Sequence, residues 1–281
     1  MSNYRKIKSV HTAPETSLGH HTIRQAFPLR GLEQISPFIL LHHFCFDIAP
    51  GDNSFYVPPH PHRGFCPITY MFEGEIEHHD SLGNSALIGS NGVQWINAGR
   101  GIIHSEKISQ SFAQQGGKYQ GIQLWINLAA SEKMQTPSYQ PISPKETVLI
   151  ADKGVEFRLV SGSFAGKKGP AKSEVLTAMM QMNANSSFEL LLPAQQNVAI
   201  YVLEGDVRVN KNLLETAHTL FNFDQTEGVI LLEAISQSKL LVMAGAPINE
   251  PLATHGPFVM NTQTELLEAM RDYKQGKMGY L

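Results

Sequence analysis

Cysteine is almost missing from this 281-residue chain, which holds only Cys45 and Cys66. A disulfide framework needs more, so a reduced, cytoplasmic setting is expected. An excess of either charge is missing too: 22 Lys and Arg stand against 25 Asp and Glu. That balance offers no basic field to a phosphate backbone, and direct nucleic-acid binding is not expected. No apolar run is long enough to span a bilayer. The opening residues, Met1 to Lys6 and then Lys8, Ser9 and His11, lack the apolar stretch of a signal peptide. Long helical periodicity is absent until the tail. There Leu266, Leu267, Met270 and Tyr273 predict one amphipathic helix over Thr264–Lys274.

What the chain has is short apolar runs punctuated by 23 Gly and 16 Pro. Ile68–Phe72, Val93–Ile96, Ile122–Leu128, Val198–Leu203, Val229–Leu232 and Leu240–Met243 have the length of strands, and turn residues flank most of them. The pattern predicts an all-β protein, sandwich or barrel. Pro137, Pro141 and Pro144 disfavour helix and central strand, and read as a linker over 137–144. The expected domains are therefore 1–136 and 145–281. The halves also look like copies. Tyr70-Met71-Phe72-Glu73-Gly74-Glu75-Ile76 matches Tyr201-Val202-Leu203-Glu204-Gly205-Asp206-Val207.

The copies differ in chemistry. Ten of the 12 histidines lie at or before His104. Carried forward by the offset between Tyr70 and Tyr201, His60 and His62 land on Leu191 and Pro193, so the second half carries no matching ligand pair. In the first half, His60-Pro-His62 and His104-Ser-Glu106 are both spaced i, i+2, which places each pair on one face of a strand. Two such strands facing each other would aim three imidazoles and one carboxylate at a common point. That donor set suits one divalent metal ion with open positions: Fe, Mn, Ni, Cu or Zn, with Fe2+ the first choice. The competing reading is a stiff, proline-flanked turn with ordinary surface or core histidines.

The remaining polar and aromatic candidates have plainer readings. His42-His43 is expected to end a strand, His78-His79-Asp80 to form a polar hairpin turn, and His20-His21 to be solvated. Cys66 reads as a small buried hydrophobe. Phe65 and Trp95 are candidate pocket walls. Phe65 reaches the site only if Gly64 breaks the strand. Gln94 and Gln123, polar within apolar runs, need partners that a substrate could supply.

The chain resembles the pirin family of the cupin superfamily. The resemblance is carried by His60-Pro-His62-Arg63-Gly64-Phe65, Thr69-Tyr70, Glu73-Gly74, His78 and Asp80-Ser81. It continues through Gly92-Val93-Gln94-Trp95, Ala98-Gly99-Arg100-Gly101-Ile102, His104-Ser105-Glu106 and Gln123 to Leu128, and closes with Gly256 to Thr262. It implies two tandem cupin (jelly-roll-like) β-barrels, with one metal in the N-terminal barrel held by His60, His62, His104 and Glu106. The chain departs from the family at His42-His43, where pirins often carry an acidic pair, and over Phe46 to Pro58.

Two functions follow from the resemblance. One is a quercetin 2,3-dioxygenase-like oxidoreductase acting with O2 on a small aromatic, flavonol-type substrate. Glu106 would be its catalytic base, and Phe65, Gln94 and Gln123 would line its pocket. The alternative is a metal- or redox-responsive regulator that binds a transcription factor or a metabolic enzyme. A third reading, from metal chemistry alone, is a Lewis-acid isomerase or hydrolase independent of O2.

Overall fold

The computed structural model describes residues 3–18 and 21–281. The six predicted apolar runs all become strands, with only Leu128 falling beyond the end of Gly117–Asn127. The tail forms the helix Gln263–Lys274. It opens on a reciprocal cap in which the Thr262 hydroxyl accepts from Glu265 N–H and the Glu265 carboxylate accepts from Thr262 N–H. No helix among the described residues is long and apolar enough to cross a membrane.

The chain divides into two units, and neither is a simple half. One comprises Pro37–Pro144 with Ile248–Leu281; the other comprises Met1–Ser36 with Lys145–Pro247. A single cut at the proline-rich segment is therefore corrected at both ends. The reason is packing. Strand Ile7–Thr12 pairs antiparallel with Thr219–Phe223 in the second unit. The terminal segment buries Ala253, Phe258, Met260, Leu266, Ala269 and Met278 against Ile103 in the first unit. The proline-rich segment is itself partly strand. Ser138–Ile142 pairs with Val93–Asn97 at a sheet edge, with Pro141 opposite Gln94. An edge position needs no N–H from proline on its outer side, which is why a strand survives there.

In the first unit, strands Ser138–Ile142, Val93–Asn97, Phe65–Glu73, Gly117–Asn127 and Phe38–Ile48 neighbour one another in that order. A four-stranded sheet runs Tyr56–His62, Ile102–Ile108, Ile76–Asp80, Ser85–Ile88. The second unit repeats the plan. Its larger sheet has seven strands and its smaller sheet runs Ser187–Leu191, Val229–Ala234, Val207–Val209, Leu213–Glu215. The sequence repeat occupies equivalent places: Phe65–Glu73 ends in Gly74 at φ +89°, and Asn197–Glu204 ends in Gly205 at φ +84°. Both turns need the left-handed backbone that glycine adopts without strain.

Candidate metal centre

Alternating prolines hold the first ligand pair. In Tyr56–His62 the pairing with Ile102–Ile108 slips between His104 and Glu106. His60 sits opposite His104, but Val57 sits opposite Glu106, so an extra residue lies in the segment containing Pro58 and Pro59. Gly64, at φ +87°, then ends the strand. A Cβ there would lie 2.0 Å from the Val259 carbonyl oxygen, so this turn admits no side chain. The break frees Phe65 from the alternation. Its ring lies edge-on to His62 at 5.1 Å and against Trp125 at 4.3 Å.

The three imidazoles converge. Ring centroids are 4.8 Å apart for His60 and His62, 4.3 Å for His60 and His104, and 4.9 Å for His62 and His104. One nitrogen from each lies within 4.8 Å of the others. His60 Nδ1 donates to the Pro58 carbonyl at 2.9 Å, which leaves Nε2 as the lone-pair nitrogen. Nε2 of His62 and both ring nitrogens of His104 are buried and make no hydrogen bond among the described residues. Bare buried nitrogens are costly, on the order of 1–3 kcal/mol each. Burial holds His62 and His104 well below the usual histidine range, and the charge of neighbouring imidazoles adds to it. Neutral imidazoles with bare lone pairs are the state a metal ligand needs.

Glu106 is buried beside them. One of its oxygens accepts from the Gln94 amide and lies 3.7 Å from His104 Nδ1. Burial pushes its carboxyl up to about 7, and the Gln94 hydrogen bond pulls the other way. Glu106 groups with His104 and His78, not with His60 and His62, within the same 4.8 Å limit. The donor set and its unpartnered nitrogens fit a divalent transition metal.

Four expectations change here. His78 is not part of a hairpin turn: it lies on strand Ile76–Asp80, whose buried positions are Ile76, His78 and Asp80. His42-His43 does not end a strand, because Phe38–Ile48 runs through both. Directly opposed residues share a face. Gln94 opposes Thr69, Thr69 opposes Gln123, and Gln123 opposes His42. This polar ladder begins at the residue that holds Glu106, so it lies on the inner face, with His42 at its far end. Burial lowers His42 to about 4. Gln123 accepts from Trp125 Nε1 at 3.0 Å, and Trp125 lies against His62 at 5.5 Å. Gln94 therefore holds the carboxylate, while Gln123 orients an aromatic wall. Trp95 faces the other side, opposite Ile68, and Cys66 is a buried thiol that burial pushes up to about 12. His20 lies outside the described residues, and His21 is half-buried rather than solvated. Sequence periodicity alone had the signal for His78, since His78 and Asp80 alternate with exposed-side residues. It had none for His42, which depends on strand register.

Two barrels of this plan, one with a His-rich interior, define a two-domain cupin. The pirin profile matches residues 20–126, and the profile of the pirin C-terminal cupin domain matches residues 177–279. The chain belongs to the pirin family. It is 35% identical over 269 residues to a Pseudomonas aeruginosa protein provisionally named a quercetin 2,3-dioxygenase, covering 92% of this chain and 94% of that one. It is 36% identical over 253 residues to Pirin-1 of Arabidopsis thaliana, covering 88% and 84%. Among solved structures, a quercetin 2,3-dioxygenase from Acinetobacter baumannii superposes with a TM-score of 0.92 at 33% identity, covering 98% of this chain and 99% of that one. The Escherichia coli pirin YhhW, solved with nickel(II), shares the fold at 21% identity and a TM-score of 0.67, covering 88% and 100%.

Proposed function

We propose that this pirin is a metal-dependent oxidoreductase that acts with O2 on a flavonol-type aromatic substrate, as in quercetin 2,3-dioxygenases. One observation carries the reading: three buried or half-buried imidazoles converge with bare nitrogens next to a buried carboxylate. His60, His62, His104 and Glu106 would hold one divalent ion, with iron(II) our first choice and nickel the ion in the YhhW structure. When bound, the metal supplies Lewis acidity and redox capacity. The chain's own groups do the rest. Trp125, only partly buried, offers flat apolar surface to an aromatic ring beside His62, and the fully buried Phe65 packs against it and fixes its position. Glu106, with one oxygen engaged by Gln94, offers its other oxygen to the proton of an aromatic hydroxyl. Thr69, Gln123 and His42 line the same inner face with groups that can hydrogen-bond hydroxyl substituents. The names of the Pseudomonas and Acinetobacter relatives support the reaction class.

The test is quercetin-dependent O2 uptake by protein loaded anaerobically with iron(II), with His62→Ala as the blank. Uptake is expected in the wild type and absent in the variant. No uptake at confirmed iron occupancy would overturn the flavonol reading.

A further inference from the structure

Three observations separate His78 from an ordinary core histidine. Its ring is fully buried and stacked on Tyr139, with centroids 4.0 Å apart and planes 2° from parallel. Its Nε2 donates to Asp80 Oδ2 at 3.1 Å. Its Nδ1 is buried with no hydrogen-bond partner among the described residues. One ring nitrogen of His78, one of His104 and an oxygen of Glu106 all lie within 4.8 Å of one another.

Asp80 is itself fixed as an acceptor. Its Oδ1 accepts from Leu82 N–H at 2.9 Å, Asn84 N–H at 3.0 Å and the Asn84 amide at 3.1 Å, and its Oδ2 from the same amide at 2.9 Å. A carboxylate so held keeps the imidazole proton on Nε2 and turns the lone pair to Nδ1. A carboxylate behind a histidine, with the opposite nitrogen bare, is the usual support of a metal-ligating imidazole. A purely structural role is met by the Asp80 bond and the Tyr139 stack, and leaves the bare Nδ1 unexplained. Strand register makes the arrangement specific: His78 opposes Glu106, and Asp80 opposes His104.

We propose that His78 is a further metal ligand, forming with His104 and Glu106 an inner donor set that shares His104 with the outer set of His60 and His62. The inference rests on the metal-centre reading above and extends it. It gives the barrel two overlapping three-residue sets, one half-open at His60 and one wholly buried. An ion leaning to the inner set gives up the His60 and His62 imidazoles for that of His78 while keeping His104 and Glu106, so the carboxylate weighs more in a harder donor set.

The test is cobalt(II) titration of the full chain, followed by its d–d absorption bands. The variants are His78→Ala, Asp80→Asn, His60→Ala, and His60→Ala with His78→Ala. His78→Ala is expected to weaken cobalt binding at least about tenfold and to shift the bands, and Asp80→Asn to weaken it about tenfold with the fold intact. His60→Ala should retain binding that the double variant loses. Wild-type affinity with unchanged bands in His78→Ala overturns the proposal. If that variant does not fold, judged by far-UV circular dichroism, wild-type affinity and bands in Asp80→Asn overturn it instead. Absence of cobalt binding by the wild type would remove the metal centre itself and this inference with it. Wild-type binding that ignores His78 removes only the inference.

Discussion

The two barrel interiors of this chain are built on matching strands and filled with opposite chemistry. In the first, His60 opposes His104 and His78 opposes Glu106. In the second, Leu190 opposes Ile230, Phe188 opposes Leu232, and Val209 opposes Leu232 on its other side. Those residues belong to one continuous apolar core that also takes in Phe157, Val202, Phe221 and Val242. Each buried aliphatic or aromatic side chain stabilises by about 1.5–3 kcal/mol, whereas each bare buried nitrogen costs about 1–3 kcal/mol. One copy of the plan is filled for stability. The other carries polar groups that only a ligand can repay.

Swapping the chemistry should give the largest effect. His62→Leu with His104→Leu makes the first interior resemble the second. Metal binding and quercetin-dependent O2 uptake should disappear, while the metal-free variant unfolds at a higher temperature, by about 1–3 kcal/mol in stability. Isothermal titration and thermal unfolding read both. A variant that loses metal and also loses stability would show that the imidazoles are not a structural burden.

Leu232→Ala attacks the second interior. It should cost about 2–5 kcal/mol through lost burial and an unfilled cavity, with metal affinity per folded molecule unchanged. Denaturant unfolding and metal titration on the same sample separate the two. The matched turns give a finer comparison. Gly205→Ala should cost more than Gly74→Ala, each within about 1–3 kcal/mol. At Gly205 the new Cβ meets the Gln237 backbone carbonyl at 2.4 Å; at Gly74 it meets the Tyr119 ring edge at 2.8 Å. Ring edges move more easily than backbone.

A last signal is a pH dependence at one buried group of the first unit. Lys133 is buried, and its Nζ donates to the Gly64 carbonyl at 2.8 Å, the Asn127 side chain at 2.5 Å and the Val259 carbonyl at 3.1 Å. Burial lowers its ammonium from 10.5 to about 8. Between those values the unfolded chain binds more protons at this site than the folded one, so the Lys133 contribution rises with pH from 8 to 10.5 and is lost as pH falls back through 8. A Lys133→Met variant should lack that slope, measured as the difference in unfolding free energy between pH 8 and pH 10.

Much of this architecture is written in local patterns. Apolar runs of strand length, the Glu-Gly turns of the repeat and the i, i+2 histidine pairs are all short-range signals. What escaped depends on longer range. His42 enters the inner face only through the register of four strands. Ser138–Ile142 is a strand because Val93–Asn97 offers it an edge, which no proline count reveals. The domain limits were misplaced because the segments that complete each unit come from the far end of the chain. Family resemblance, in turn, singled out His78 where its composition suggested a turn.

The exchange of end segments also sets an order of manufacture. His60, His62 and His104 leave the ribosome well before Val259, Asp272 and Met278. Those later residues seal the turns beside the ligands: Val259 N–H bonds the Arg63 carbonyl, Asp272 pairs with the Arg63 guanidinium at 3.0 Å, and the Met278 carbonyl accepts from Ser81 Oγ, which in turn accepts from Ile103 N–H. At roughly 5–20 residues per second, the wait between His104 and Ile248 is on the order of ten seconds. During that interval the nascent chain displays its imidazoles without the lock that fixes them. A chain cut short before Ile248 would carry every outer ligand and still lack the segment that holds their turns in place.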